Sequence, residues 1–110
     1  MKHEILEKQG ASIVVFTGEI DLESSPAARE TLLKCVEHTG NVIVDLSEVS
    51  YIDSSGVASL VETLQAAKKQ GGQFALAAVS EPTRRVLELA RLDKVFTLYD
   101  SMELALEGPA

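Results

Sequence analysis

Short runs of apolar and β-branched residues recur along the chain, separated by polar segments that contain glycine, serine and asparagine. The run SIVVFT at residues 12–17 carries no charge, which is typical of a strand that is covered on both faces. The run at residues 4–7 is charged and suits an edge strand. The pattern predicts four to five strands, at residues 4–7, 12–17, 41–46, 73–79 and 95–99.

Apolar positions between these runs repeat at spacings of three and four residues, as they do on one face of a helix. Val57, Leu60, Val61 and Leu64 form the clearest example. Serine and proline favour helix starts, and glycine favours helix ends. The pattern predicts about four helices, which begin at Ser25 and Pro26, after the serine pair at residues 54–55, at Ser80 to Pro82, and after Ser101.

Strands that alternate with helices at this spacing predict right-handed βαβ units. We therefore expect an α/β fold with a mostly parallel sheet of four to five strands and about four helices. The chain of 110 residues has room for one domain, residues 1–110, with a core over about residues 5–106.

Two polar segments, residues 18–25 and 47–55, follow predicted strands. The carboxyl ends of parallel strands meet at one edge of a sheet, so both segments are expected to share that rim. The second segment ends in Asp53, Ser54, Ser55 and Gly56, directly before a predicted helix. Ser and Asp are preferred helix caps, so this motif by itself is open to interpretation as a cap alone.

The chain is acidic, with a formal net charge of −7. This charge disfavours binding to phosphate backbones and anionic lipid, so proteins are the more suitable partners. Its one cysteine, Cys35, lies in an apolar helical pattern and is expected to be a buried thiol. The N-terminus lacks the apolar region of a signal peptide, and no apolar run reaches the roughly 20 residues of a spanning helix. We therefore predict a cytoplasmic protein without membrane insertion.

The residues needed for catalysis are not apparent in the sequence. His3 and His38 lie in the N-terminal arm and at a helix end, where solvated surface side chains are expected. The sequence contains no nucleophile elbow, nucleotide-binding loop or Cys/His metal spacing. The acids Glu19, Asp21 and Glu23 would allow a cation site, but a solvated loop is the simpler interpretation. We predict that the protein is not an enzyme and has no metal or cofactor of its own.

Ser54 suggests another function, because its hydroxyl is expected to be exposed beside a helix N-terminus. Phosphorylation there would add about −1.5 to −2 charges at pH 7. The helix dipole and free N–H groups are expected to tolerate that charge within the domain. A closely packed or acidic partner surface would not tolerate it, so one modification would change binding and leave the fold intact.

These segments resemble a known family, the STAS domain proteins, and specifically the stand-alone anti-sigma factor antagonists of bacteria. The resemblance rests on DLSEVSYIDSSGVASLVETLQAAKKQGG at residues 45–72, on GEIDLESSPAARETL at residues 18–32, and on AVSEPTRRVLELARLDKVFTLYDSMELAL at residues 78–106. It covers almost the whole chain, in order and without large gaps. The sequence departs from the family where Arg91, in LARLD, replaces a frequent glycine, which puts the end of the third helix in question.

The resemblance implies a partner switch. The unphosphorylated antagonist binds an anti-sigma factor that is also a serine kinase, phosphorylation releases it, and a PP2C-like phosphatase resets it. By motif position Ser54 would be the phosphoacceptor, Asp53, Ser55 and Gly56 would shape its site, and Asp21 would lie beside the partner surface. ATP and metal would belong to the kinase and phosphatase, so this chain would need no cofactor.

The resemblance leaves other outputs open. Some STAS proteins use the same switch to regulate an output other than a sigma factor, and others are subunits of membrane lipid-transport ATPase complexes. A small nucleotide-binding or hydrolytic protein is a third alternative, although the expected motifs are missing.

Overall fold

A computed structural model of the chain describes residues 1–108 and contains, within that range, five strands and four helices. The strands are β1 (Lys2–Lys8), β2 (Ala11–Ile20), β3 (Val42–Ile52), β4 (Phe74–Ala77) and β5 (Thr97–Tyr99). The helices are α1 (Ser25–Thr39), α2 (Ser54–Lys69), α3 (Glu81–Leu89) and α4 (Met102–Glu107). The predicted domain also includes residues 109 and 110, which lie outside the described residues.

The five strands form one sheet in the order β1-β2-β3-β4-β5. β1 runs antiparallel to β2, and the other neighbouring strands are parallel. The predicted α/β fold with a mostly parallel sheet is therefore confirmed. The antiparallel pair is a hairpin whose two-residue turn, Gln9 and Gly10, has positive φ at both positions, as a type I′ turn requires.

The main core lies between the sheet and helices α1, α2 and α3. The alternating side chains of β2 and β3 point into it, and its centre is filled by large buried residues, among them Phe16, Leu32, Leu46, Leu60, Leu76 and Leu87. A smaller cluster on the opposite face packs Ile13, Ile43 and Ala77 against Ala105 of α4. Because both faces are covered, the central strands are apolar on both sides, as predicted.

Two strands extend further than predicted. β2 continues through Ile20 and β3 through Ile52, so the start of the first predicted polar loop and most of the second are strand. Their pairing shifts register twice, and β3 contributes the extra residue each time. Such bulges break the regular alternation of a strand, so Val49 and Ile52 are buried among exposed polar neighbours. This irregular burial is why the polar sequence SEVSYI was wrongly assigned to a loop.

The end of α3 resolves the question raised by Arg91. Its backbone has φ of 60°, in the left-handed region that favours glycine. The Arg91 N–H donates to the Glu88 carbonyl at 3.0 Å, and the Leu92 N–H donates to the Leu87 carbonyl at 2.8 Å. These two bonds form a Schellman motif, so the helix ends as it would with glycine at this position, although arginine is strained there.

Candidate functional site

The carboxyl ends of β2 and β3 form one rim of the sheet. Ile20 pairs with Ile52 at the end of the two strands, and the Asp53 N–H donates to the Ile20 carbonyl at 3.2 Å. Asp21 and Asp53 follow these paired residues directly and are therefore neighbours. The two polar segments share the rim as expected, although each segment begins later in the chain than predicted.

Asp53 is the N-cap of α2. Its backbone is extended, and its Oδ1 atom accepts hydrogen bonds from the N–H groups of Ser55 at 2.9 Å and Gly56 at 3.1 Å. The Ser55 hydroxyl donates to the same oxygen at 2.5 Å. The Ser55 hydroxyl and then the backbone donors lower the pKa of the Asp53 carboxyl below its ordinary value of 3.8. The carboxylate is therefore charged and held in one position.

Ser54 is the first residue of α2 and is exposed. None of the side-chain hydrogen bonds among residues 1–108 involves its hydroxyl. The motif does contain a helix cap, as its sequence allowed, but the capping side chain is that of Asp53 and not that of Ser54. The Ser54 hydroxyl is left free to meet another molecule.

Ser55 and Gly56 set the position of the first turn of α2. Ser55 is half-buried and its hydroxyl is occupied by Asp53. Gly56 is buried, and a Cβ atom there would lie 2.7 Å from Cγ1 of Ile52 and 2.8 Å from the carbonyl oxygen of Ile20. Only glycine allows the helix to approach the two strand ends this closely, which holds Ser54 beside the rim.

Asp21 organises the loop between β2 and α1. Its Oδ1 atom accepts hydrogen bonds from the N–H groups of Glu23 and Ser24, each at 3.1 Å, and lies 3.1 Å from the Ser24 hydroxyl oxygen. The Ser24 N–H and hydroxyl lower the pKa of the Asp21 carboxyl, and the negative charge of Asp53 acts in the opposite direction. The two carboxylates are therefore close enough to influence each other.

This geometry corrects one expectation about the helix N-terminus. The N–H groups of Ser55 and Gly56 are already bonded to Asp53, and that of Val57 is bonded to the Asp53 carbonyl at 3.0 Å. The Asp53 residue therefore already occupies N–H groups that an anion on Ser54 would need, so the helix N-terminus is less available to a phosphate than the sequence suggested.

The site lacks the partners that catalysis needs. His3 contacts the ring of Phe16, and Nε2 of His38 lies 3.0 Å from Oε1 of Glu7, so neither histidine is at the rim. Among residues 1–108, no group of three His, Cys, Asp or Glu side chains is placed to hold a metal ion. Cys35 is buried with 5% of its surface exposed, and burial raises the pKa of its thiol, as expected for a structural cysteine. The rim offers an exposed serine hydroxyl and a surface for contact.

Two exposed apolar side chains near the rim were not identified from the sequence. Leu22, in the Asp21 loop, is 75% exposed, and Tyr51, near the end of β3, is 49% exposed. An isolated leucine between acids was a usable signal for Leu22. Tyr51 could not be placed from the sequence, because its strand was taken to be a loop. Together they add apolar contact area to an otherwise acidic rim.

The fold and this rim together define a STAS domain. The sequence model of the STAS domain family matches residues 2–105, so the chain belongs to that family. It is 35% identical to the anti-sigma-B factor antagonist of Bacillus subtilis over 85 residues, which are 77% of this chain and 78% of the relative. In the part of the chain that the structure describes, no helix is both long and apolar enough to cross a membrane.

Solved structures agree with this assignment. An anti-sigma factor antagonist from Mycobacterium paratuberculosis superposes with a TM-score of 0.87 and 32% identity, covering 96% of this chain and 91% of that one. SpoIIAA, whose structure is known in unphosphorylated form, shares the fold with a TM-score of 0.83 and 17% identity, covering 96% and 94% of the two chains. Its phosphorylated form from Bacillus shares it with a TM-score of 0.76. Because the named antagonists are regulators, the prediction of a non-enzymatic protein is confirmed at the level of the family.

Proposed function

We propose that this protein is an anti-sigma factor antagonist whose binding is switched by phosphorylation of Ser54. The observation that carries the proposal is the exposed, unbonded hydroxyl of Ser54 at a rim shared by Asp53 and Asp21. In its unphosphorylated form the chain binds an anti-sigma factor that is also a serine kinase. ATP and metal are supplied by that kinase and by a PP2C-like phosphatase.

The unphosphorylated rim is suited to a protein partner. Leu22 and Tyr51 provide exposed apolar surface, and Asp21 provides a fixed carboxylate beside it. The net charge of −7 favours a partner with a basic surface and disfavours nucleic acid.

Phosphorylation would reverse this binding by local repulsion. The phosphate adds about −1.5 to −2 charges next to Asp53 and Asp21 and brings three strongly hydrated oxygens to the contact surface. No hydrogen bond of the Ser54 hydroxyl has to break first, so the domain itself need not rearrange. We expect the partner to be lost because it cannot desolvate the added charge, and we expect α2 to keep its position.

The relatives support the proposal. Several of them are anti-sigma factor antagonists, and SpoIIAA exists in unphosphorylated and phosphorylated forms of the same fold. We further propose that Asp53, Ser55 and Gly56 act by positioning Ser54, and that the protein works in the cytoplasm.

The test is an affinity purification from the native cell with wild-type, Ser54→Ala and Ser54→Asp baits, with partners and phosphosites identified by mass spectrometry. We expect a kinase-like protein to bind the wild type and Ser54→Ala, and to be lost with Ser54→Asp. Gln65→Glu is a matched control, because it adds one negative charge at an exposed position further along α2. It should bind like the wild type.

Two results would contradict the proposal. If all four baits capture the same proteins, Ser54 is not a switch, and an ATPase among those proteins would favour a fixed subunit of a membrane transport complex. If the captured kinase still labels Ser54→Ala stoichiometrically with phosphate, another residue is the acceptor.

A further inference from the structure

β1 is an edge strand with an open outer side. All seven of its residues are exposed, and among the described residues it pairs only with β2. The opposite edge of the sheet, β5, has only three residues. An edge strand presents a row of unpaired N–H and C=O groups, so a long one is a template for another strand.

The structure of β1 favours such pairing. Its register with β2 is continuous from Lys2 to Lys8, without a bulge that would twist the edge away. The strand contains no proline, and the tight turn at Gln9 and Gly10 holds it against β2. β1 is therefore a regular edge strand even without a partner.

The sequence of β1 is complementary to itself. If two copies align antiparallel with Ile5 at the two-fold axis, His3 of each copy lies opposite Glu7 of the other, and Ile5 lies opposite Ile5. On the other face, Glu4 lies diagonally from Lys8 of the second copy on one side and from the second copy's Glu4 on the other. Only Lys2 and Lys8 are like charges in opposite positions, and they lie at the two exposed ends of the pair.

We propose that the β1 edge binds a second copy of this chain, with Ile5 at the two-fold axis. The two five-stranded sheets would then form one sheet of ten strands. Seven paired residues on each side exchange about six to eight backbone hydrogen bonds. Two strand edges bury less than the roughly 1,200 to 2,000 Å² of a standard interface, so the dimer is weak, with a dissociation constant of about 10 to 100 μM.

This surface is separate from the Ser54 rim. In the paired arrangement the two β2 strands run in opposite directions, so the two rims lie at opposite ends of the joined sheet. Each copy keeps Ser54 accessible. The dimer therefore does not depend on the proposed phosphorylation switch, and either proposal can fail without the other.

The test compares lysine substitutions at two neighbouring positions by sedimentation velocity. Protein concentrations from about 1 μM to 1 mM bracket the expected dissociation constant of the dimer. Ile5→Lys places two lysines opposite each other at the axis and should weaken the dimer at least about tenfold. Leu6→Lys places each lysine opposite Glu4 of the second copy and should leave the dissociation constant within about threefold of the wild type. Ile5 and Leu6 are exposed by 49% and 40%, so both variants should fold, which circular dichroism and thermal melting would verify.

Crosslinking provides an independent measurement. Ile5→Cys should form an intermolecular disulfide under mild oxidation, because position 5 of one copy faces position 5 of the other. Leu6→Cys should not, because position 6 faces position 4 of the second copy. Cys35 is buried and should not take part. A wild type that stays monomeric up to about 1 mM, equal dimerisation of the two lysine variants, or crosslinking through Leu6→Cys as efficient as through Ile5→Cys would overturn this pairing.

Discussion

The closest packing at the candidate site occurs at Gly56, and its replacement by alanine tests how α2 is positioned. The added Cβ would lie 2.7 Å from Cγ1 of Ile52, 2.8 Å from the carbonyl oxygen of Ile20 and 2.9 Å from Cγ2 of Ile20. One of these three atoms belongs to the backbone and cannot turn away. The first turn of α2 must therefore move outward, or the ends of β2 and β3 must separate.

Two effects of opposite sign determine the size of the change. Overpacking of a tight contact costs about 1 to 3 kcal/mol. Alanine is favoured over glycine within a helix by up to about 1 kcal/mol, and by less in the first turn. We therefore expect Gly56→Ala to lower the free energy of unfolding by about 1 to 2 kcal/mol, because the contact outweighs the helix propensity.

Urea unfolding followed by circular dichroism measures this change. With a typical slope of about 2 kcal/mol per molar urea, the midpoint should fall by about 0.5 to 1 M. Ala58→Gly is the matched control, since Ala58 is exposed in the next turn of α2 and reports helix propensity without a change in packing. It should cost about 1 kcal/mol.

The two variants together separate the two effects. If helix propensity alone acted at position 56, Gly56→Ala would stabilise the protein, while Ala58→Gly would destabilise it. A Gly56→Ala protein that is as stable as the wild type, or more stable, would refute the argument that α2 is held by close contact with Ile20 and Ile52.

Three further predictions concern other parts of the fold. Arg91→Gly removes the strain of a non-glycine residue with left-handed backbone, so it should raise the free energy of unfolding by about 0.5 to 1 kcal/mol in a urea titration. An unchanged urea midpoint would show that Arg91 is not strained. Gly72→Ala places a Cβ atom 1.8 Å from the carbonyl oxygen of Gly40. It should lower the free energy of unfolding by more than about 3 kcal/mol in the same titration, and a decrease below about 1 kcal/mol would show that the contact can relax. The pKa of Asp53 is lowered in the folded state, so its carboxylate contributes stability above pH 3.8 that is lost as the pH falls through the folded pKa. Asp53→Asn should therefore flatten the acid side of the stability profile, and a profile parallel to that of the wild type would contradict this role.

The sequence was sufficient to predict the element types and their order. Apolar spacing distinguished the strands from the helices, because the two structures bury side chains with different periods. The same spacing placed Ser54 at the start of a helix, at an exposed position. The sequence also indicated a helix cap in the motif at residues 53–56, since aspartate and serine before a helix are preferred N-caps.

The ends of β2 and β3 could not be predicted, because they depend on each other. The two register shifts bring Ile20 opposite Ile52, which makes neighbours of Asp21 and Asp53 although they are far apart in the sequence. The same pairing brings the Ile20 carbonyl against Gly56. The Asp53 side chain, a local cap, occupies N–H groups of the helix N-terminus that were expected to be free for a phosphate.

By itself, therefore, the sequence determined the α/β order, the net negative charge and the position of an exposed serine between a strand and a helix. Only the tertiary structure decided that Asp21 lies beside Asp53 and how closely the helix approaches the sheet. The physical reason is the separation along the chain over which each interaction acts. Periodicity and capping act over a few neighbouring residues, whereas strand register and close packing join residues that are distant in the chain.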